Sequence, residues 1–158
     1  MLLNSAASLC SVIRDVGAAM TGLNLNSMSV GDALPSLSLG PVNRTTLALF
    51  AGASGDHNPI HIDLDFARKA GMADVFAHGM LSMAWLGRLL TQWVDQRRIR
   101  HFGVRFVGIT QLGDEITCTG KVVEKFEADG EQRIKVEIAT TNQRGETRIL
   151  GEAVLALA

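Results

Sequence analysis

The stretch SGDHNPIHID, residues 54–63, holds the densest set of proton-transferring groups in the chain. Asp56 and His61 stand five residues apart with Asn58-Pro59 between them. Pro59 fixes its own φ and biases Asn58 toward extended backbone, so the loop is stiff. A stiff loop can hold a carboxylate and an imidazole around a single water. Those two groups suffice for water addition or removal, one taking a proton while the other gives one. The same residues are ordinary turn formers, and a lone histidine is often a packed one, so spacing alone leaves both readings open.

A second element, Ala77-His78-Gly79-Met80, directly precedes the longest helical pattern. Gly79 permits close approach of a ligand or backbone, and its N–H would stand among the unpaired donors at the positive end of the helix dipole. A thioester carbonyl placed there would have its developing enolate charge stabilised, an effect worth about 10²–10³ in rate per donor. The plainer alternative is that Gly79 only bends the chain into the helix.

The elements that must position these groups follow from periodicity. Residues 30–42 contain two prolines and a Gly-Asp turn, which predicts an extended segment with a bend. Leu47, Phe50 and Ala51 have helical spacing over 44–53, with Asn43 or Thr45 as cap, and a short helix is expected near 64–70, ending at Gly71. Residues 80–97 predict the longest helix, whose opening MLSMAWL is apolar on nearly every face and reads as buried all round. The last third alternates. Phe102, Val104 and Phe106 share one strand face; Ile116, Cys118 and Val122 line a second strand, Ile134, Val136 and Ile138 a third, and 149–157 a fourth. Asp129-Gly130 and residues 142–145 are hairpin signals. One buried helix followed by an antiparallel meander is an α+β arrangement in which the sheet must wrap the helix. Such a sheet leaves edges, and a homodimer or higher even oligomer is expected.

Composition narrows the function classes. The chain has 158 residues, 47% hydrophobic and 20% charged, which fits one globular domain and excludes a disordered, solvating chain. Fifteen Lys and Arg against sixteen Asp and Glu leave no basic field for nucleic acid or an anionic membrane surface. No apolar run reaches the ~18 residues of a membrane span. Cys10 and Cys118 lack metal or redox spacing and read as free thiols of a reducing, cytoplasmic protein. Residues 1–28 carry only Arg14 and Asp15 as charges and are expected to form an arm, with a short helix over 11–20, outside a domain spanning 29–158.

Taken together, Ser54-Gly55-Asp56-His57-Asn58-Pro59-Ile60-His61 and, seventeen residues after His61, His78-Gly79-Met80 resemble the MaoC-like (R)-specific enoyl-CoA hydratases. The resemblance runs from about residue 30 to the C-terminus, includes Val104-Arg105-Phe106 and Gly113-Asp114, and is strongest to the mycobacterial-type (3R)-hydroxyacyl thioester dehydratases. It implies the hot-dog fold, a long central helix wrapped by a curved antiparallel sheet. It also implies a lyase of fatty acid metabolism that takes acyl-CoA or acyl carrier protein thioesters, with no cofactor and no metal. Under it, Asp56 and His61 match the acid/base pair and Asn58 an Asn that shapes the site. Gly79 matches the glycine whose N–H binds the thioester carbonyl, and Phe106 an aromatic residue that touches the acyl-thioester. Two positions depart: Gly87 stands where short-chain hydratases place Ser, and Ile109 near a frequent Pro. An open Gly87 beside Met80 and Met83 predicts a path for a longer acyl tail.

Competing readings are a non-catalytic acyl-binding subunit, a thioesterase on the same fold, and a metal site from His57, His61 and His78. Pro59 argues against the helix that the last would need. Arg97, Arg98 and Arg100, beyond the long helix, either contact CoA phosphates or an acidic carrier or simply complement the helix dipole.

Overall fold

The computed structural model describes residues 23–157. The expected helix over 11–20, Cys10 and most of the expected arm lie outside that range. At its described end, Leu25 is buried in the core and Lys125 Nζ donates to the carbonyls of Asn26 and Met28.

After strand β1 (Ala33–Leu39), helix α1 (Arg44–Ser54) begins where the Asn43 side chain accepts from Thr46 N–H at 2.9 Å. It buries Leu47 and Ala51, one turn apart, and ends at Gly55 in the left-handed region (φ 75°). Helix α2 (Leu64–Lys69) is capped by Asp63, whose carboxylate accepts from Asp65 and Phe66 N–H. Helix α3 (Gly79–Trp93) buries Leu81, Leu86, Leu89, Leu90 and Trp93. It is shorter than the expected 80–97, because residues 96–98 form a separate 3-10 turn capped by Asp95. Nor is its first half buried all round. Met80 is 53% exposed and Ala84 is exposed, since the sheet covers one side of the helix and leaves that face open.

Strands β2 (Ile99–Phe106), β3 (Ile116–Ala128), β4 (Glu131–Thr141) and β5 (Thr147–Ala156) complete a five-stranded sheet. Its order is β1-β3-β4-β5-β2 and every pair is antiparallel. The β3–β4 hairpin turns on Asp129 and Gly130, both with positive φ (53° and 73°), the geometry whose twist matches the flanking strands. Alternation aims Ile116, Cys118, Val122, Ile134, Val136, Ile138, Ala153 and Leu155 at α3. This is the hot-dog arrangement, one long helix wrapped by a curved sheet. Gly120 has a packing reason: a Cβ there would overlap the Trp93 ring, which is anchored by its Nε1–H donating to the Pro35 carbonyl at 3.0 Å. Cys118 is a free thiol pushed up to about 12 by burial, hence inert. No described helix is long and apolar enough to cross a membrane.

Candidate active site

The loop after α1 is built from local hydrogen bonds. Ser54 Oγ donates to the Phe50 carbonyl at 2.7 Å and accepts from Asp56 N–H at 3.2 Å. Asp56 Oδ1 accepts from Asn58 N–H at 3.2 Å. Asn58 then caps the 3-10 turn Pro59–His61, its Oδ1 accepting from Ile60 N–H at 3.1 Å. Asn58 thus holds the turn that carries His61.

His61 is 9% exposed, and its Nδ1 lies 2.8 Å from the Phe76 carbonyl oxygen. A carbonyl only accepts, so Nδ1 carries the hydrogen, and in the neutral ring Nε2 keeps its lone pair. The tautomer required of a general base is therefore set by a backbone group fifteen residues away.

His78 is fully buried, and its Nε2–H donates to the Asp56 carbonyl at 3.1 Å. Its Nδ1 has no partner among the described residues. The ring packs at a tilt against His61, with centroids 4.0 Å apart, and against Phe50 at 5.1 Å. Burial, then the neighbouring His61, holds His78 below the usual histidine range, so it stays neutral. One carboxylate oxygen of Asp56 and one nitrogen from each of His61 and His78 all lie within 4.8 Å of one another.

His57 is absent from that cluster, so the His57/His61/His78 set is not assembled. The donors that do converge are a carboxylate oxygen of Asp56 and a ring nitrogen from each of His61 and His78.

His78 is also the N-cap of α3 and makes no side-chain cap, which leaves the first amide donors of the helix, starting at Gly79, without a side-chain acceptor. Phe106, 49% exposed, lies over Gly79; a Cβ at that position would stand 3.1 Å from its ring. Between them opens a cavity of about 150 Å³ lined by Gly79, Ser82, Phe106, Ile109, Thr110 and Ile149 among others. The loop carrying Ile109 and Thr110 is tied to its surroundings. Asp114, buried, accepts from Gln111 N–H at 3.0 Å and pairs with Arg144 and Arg148 at 3.2 and 3.4 Å.

All five residues singled out in the sequence thus fall in one region: Asp56, Asn58 and His61 on the loop, Gly79 and Phe106 at the helix start. Sequence reasoning did not find the Phe76 carbonyl, the His78 contact to Asp56, or the Ser82–Thr110 pair. The cavity follows Ser82 rather than the Met80–Met83–Gly87 stripe, and Gly87 backs onto Phe102, whose ring lies 3.6 Å from a Cβ built there. The arginines lie at the other end of α3, about 21 Å from Gly79 by helix rise. Arg97 pairs with Asp95 at 2.9 Å and Arg100 with Glu131 at 2.6 Å.

The chain is similar to known proteins. The chain is 31% identical over 113 residues to the (R)-specific enoyl-CoA hydratase of Aeromonas caviae, covering 70% of this chain and 83% of that one. It is 28% identical over 106 residues to 3-hydroxyacyl-thioester dehydratase Z of Mycobacterium tuberculosis, covering 63% and 70%. It also matches the fatty acid synthase subunit beta of Aspergillus oryzae, 32% identical over 111 residues; that match covers 67% of this chain but only 5% of that much longer protein. Among solved structures, the unliganded R-hydratase PhaJ1 of Pseudomonas aeruginosa superposes with a TM-score of 0.73 at 27% identity, covering 84% of each chain. The model of the MaoC like domain matches residues 31–145, and the chain belongs to that family.

Proposed function

We propose that this protein is a hydro-lyase that interconverts (3R)-3-hydroxyacyl and trans-2-enoyl thioesters, carried on CoA or on acyl carrier protein. The observation that carries the reading is the His61 tautomer: Nδ1–H held by the Phe76 carbonyl leaves the Nε2 lone pair free as a base, on a ring that has a nitrogen within 4.8 Å of an Asp56 carboxylate oxygen. In the hydration direction, Gly79 N–H polarises the thioester carbonyl. Asp56 and His61 activate a water for attack at Cβ, and the same pair supplies the proton at Cα. The buried, neutral His78 places no competing positive charge beside His61 when that ring takes the proton. The helix N-terminus stabilises the enolate oxygen that forms meanwhile.

The exposed apolar side chains of Met80, Phe106, Val107 and Ile109 support a dimeric enzyme, with the second copy closing this side of the site. The test is loss of the enoyl-thioester absorbance on hydration, run on both CoA and carrier-protein substrates of increasing length. Turnover with formation of the (3R)-alcohol supports the proposal. Release of free thiol without hydration would make the protein a thioesterase, and no turnover on either carrier would leave an acyl-binding subunit.

A further inference from the structure

The cavity beside Gly79 has a polar feature that the acid–base chemistry leaves unused. Ser82 and Thr110 are 2% and 4% exposed, their hydroxyl oxygens meet at 3.2 Å, and both line the cavity. One hydrogen bond between two hydroxyls uses one of their two hydrogens. The other O–H has no acceptor among the described residues. Leaving such a donor unpaired in an apolar setting is destabilising, and an oxygen on a ligand would relieve it.

The pair is held from both sides. Ser82 lies three residues after Gly79 on α3, and helical Cα–Cβ bonds lean toward the N-terminus, so its hydroxyl leans toward the Gly79 end. Thr110 is fixed through its carbonyl, which accepts from Ala77 N–H at 2.9 Å, and through the loop that Asp114 anchors. The remaining walls, Phe106, Ile109 and Ile149, are apolar. The cavity opens to solvent past Phe106 and Ile109, and its volume of about 150 Å³ takes a benzene-sized group, roughly six heavy atoms.

We propose that this cavity is the acyl subsite and that the Ser82–Thr110 hydroxyls bind an oxygen on the acyl chain. The substrate class is then a short enoyl or 3-hydroxyacyl thioester of about six carbons with a hydroxyl or keto oxygen toward its far end. A long alkyl chain exceeds the volume and leaves the O–H unpaired. The inference rests on the hydratase reading, whose thioester carbonyl sits at Gly79.

The experiment compares three trans-2-enoyl-CoA substrates: a six-carbon chain with a terminal hydroxyl, the same chain without it, and a ten-carbon alkyl chain. Wild-type kcat/KM should favour the hydroxylated chain about tenfold over its plain counterpart, the effect of one net hydrogen bond, with the ten-carbon chain poorest. In Thr110→Val and in Ser82→Ala that preference should fall to about one. The ratio is taken within each protein, so a general loss of folded enzyme cancels. A wild-type ratio near one, an unchanged ratio in both variants, or a preference for ten carbons overturns the proposal. Calorimetry with the corresponding saturated acyl-CoAs reads the same preference as a ratio of Kd. If wild type hydrates none of the three, the hydratase reading falls, while the Kd ratio still decides the subsite.

Discussion

Replacing Gly79 by Ala adds a methyl at the point where the thioester is proposed to bind. The new Cβ would stand 3.1 and 3.3 Å from Cε1 and Cδ1 of Phe106, closer than ordinary carbon contacts. Phe106 is 49% exposed, so its ring can withdraw without disturbing the core. Ala is also the better helix former, by about 0.5–1 kcal/mol in a helix interior and by less at this first position. The two effects nearly cancel, and the melting temperature should move by no more than about 2 °C. The N–H itself survives. What changes is the space beside it, because the methyl and the displaced ring both enter the cavity that the acyl group must occupy. A displacement of the reacting carbonyl by about 1 Å costs about 10² in rate, so kcat/KM for enoyl-CoA hydration should fall by about that factor. Steady-state kinetics and a thermal melt on the same preparation decide the matter. Near wild-type kcat/KM at an unchanged melting temperature would remove the thioester from Gly79. A loss of more than about 5 °C would show that Phe106 cannot yield.

Asp56→Asn and His61→Gln should each lower kcat by about 10²–10⁴ while the protein stays folded by circular dichroism. The double variant should be little worse than the worse single one, since the two act as a unit; additive losses would separate their roles. His78, depressed by burial, is neutral in the folded state, while in the unfolded chain it binds a proton below about pH 6.5. Its contribution to stability is therefore complete above that pH and declines as pH falls toward the folded value, by at most about 1.4 kcal/mol per pH unit. Denaturant midpoints measured between about pH 7.5 and 5 should show this slope in wild type and a flatter one in His78→Asn. Gly87→Ala should raise the denaturant midpoint, because its Cβ meets Phe102 at an ordinary 3.6 Å and removes a helical glycine worth about 0.5–1 kcal/mol. A lower midpoint would mean that this face is already full. EDTA should leave hydration unchanged; a loss restored by zinc would mean that Asp56, His61 and His78 hold an ion.

The elements and the residues of the candidate site were legible in the chain because short-range forces encode them. Asn43, Asp63 and Asn58 cap helices and turns through neighbours two or three residues away, and alternation along β3, β4 and β5 reports one buried face per strand. The stiffness of the Asn58-Pro59 turn is likewise local, and with it the closeness of Asp56 to His61. The extent of burial around α3 was not legible, since the apolar run at 80–86 does not say which face the sheet covers; Met80 and Ala84 stay open. Nor was the chemistry of the site's second layer. The His61 tautomer depends on the Phe76 carbonyl, the Asp56 backbone is tied to His78 across twenty-two residues, and Ser82 meets Thr110 across twenty-eight. These contacts have no period and no local partner in the sequence. They arise only when the sheet closes over α3 and brings separate segments to the helix N-terminus, where burial then decides which groups stay neutral and which hydroxyl is left without an acceptor.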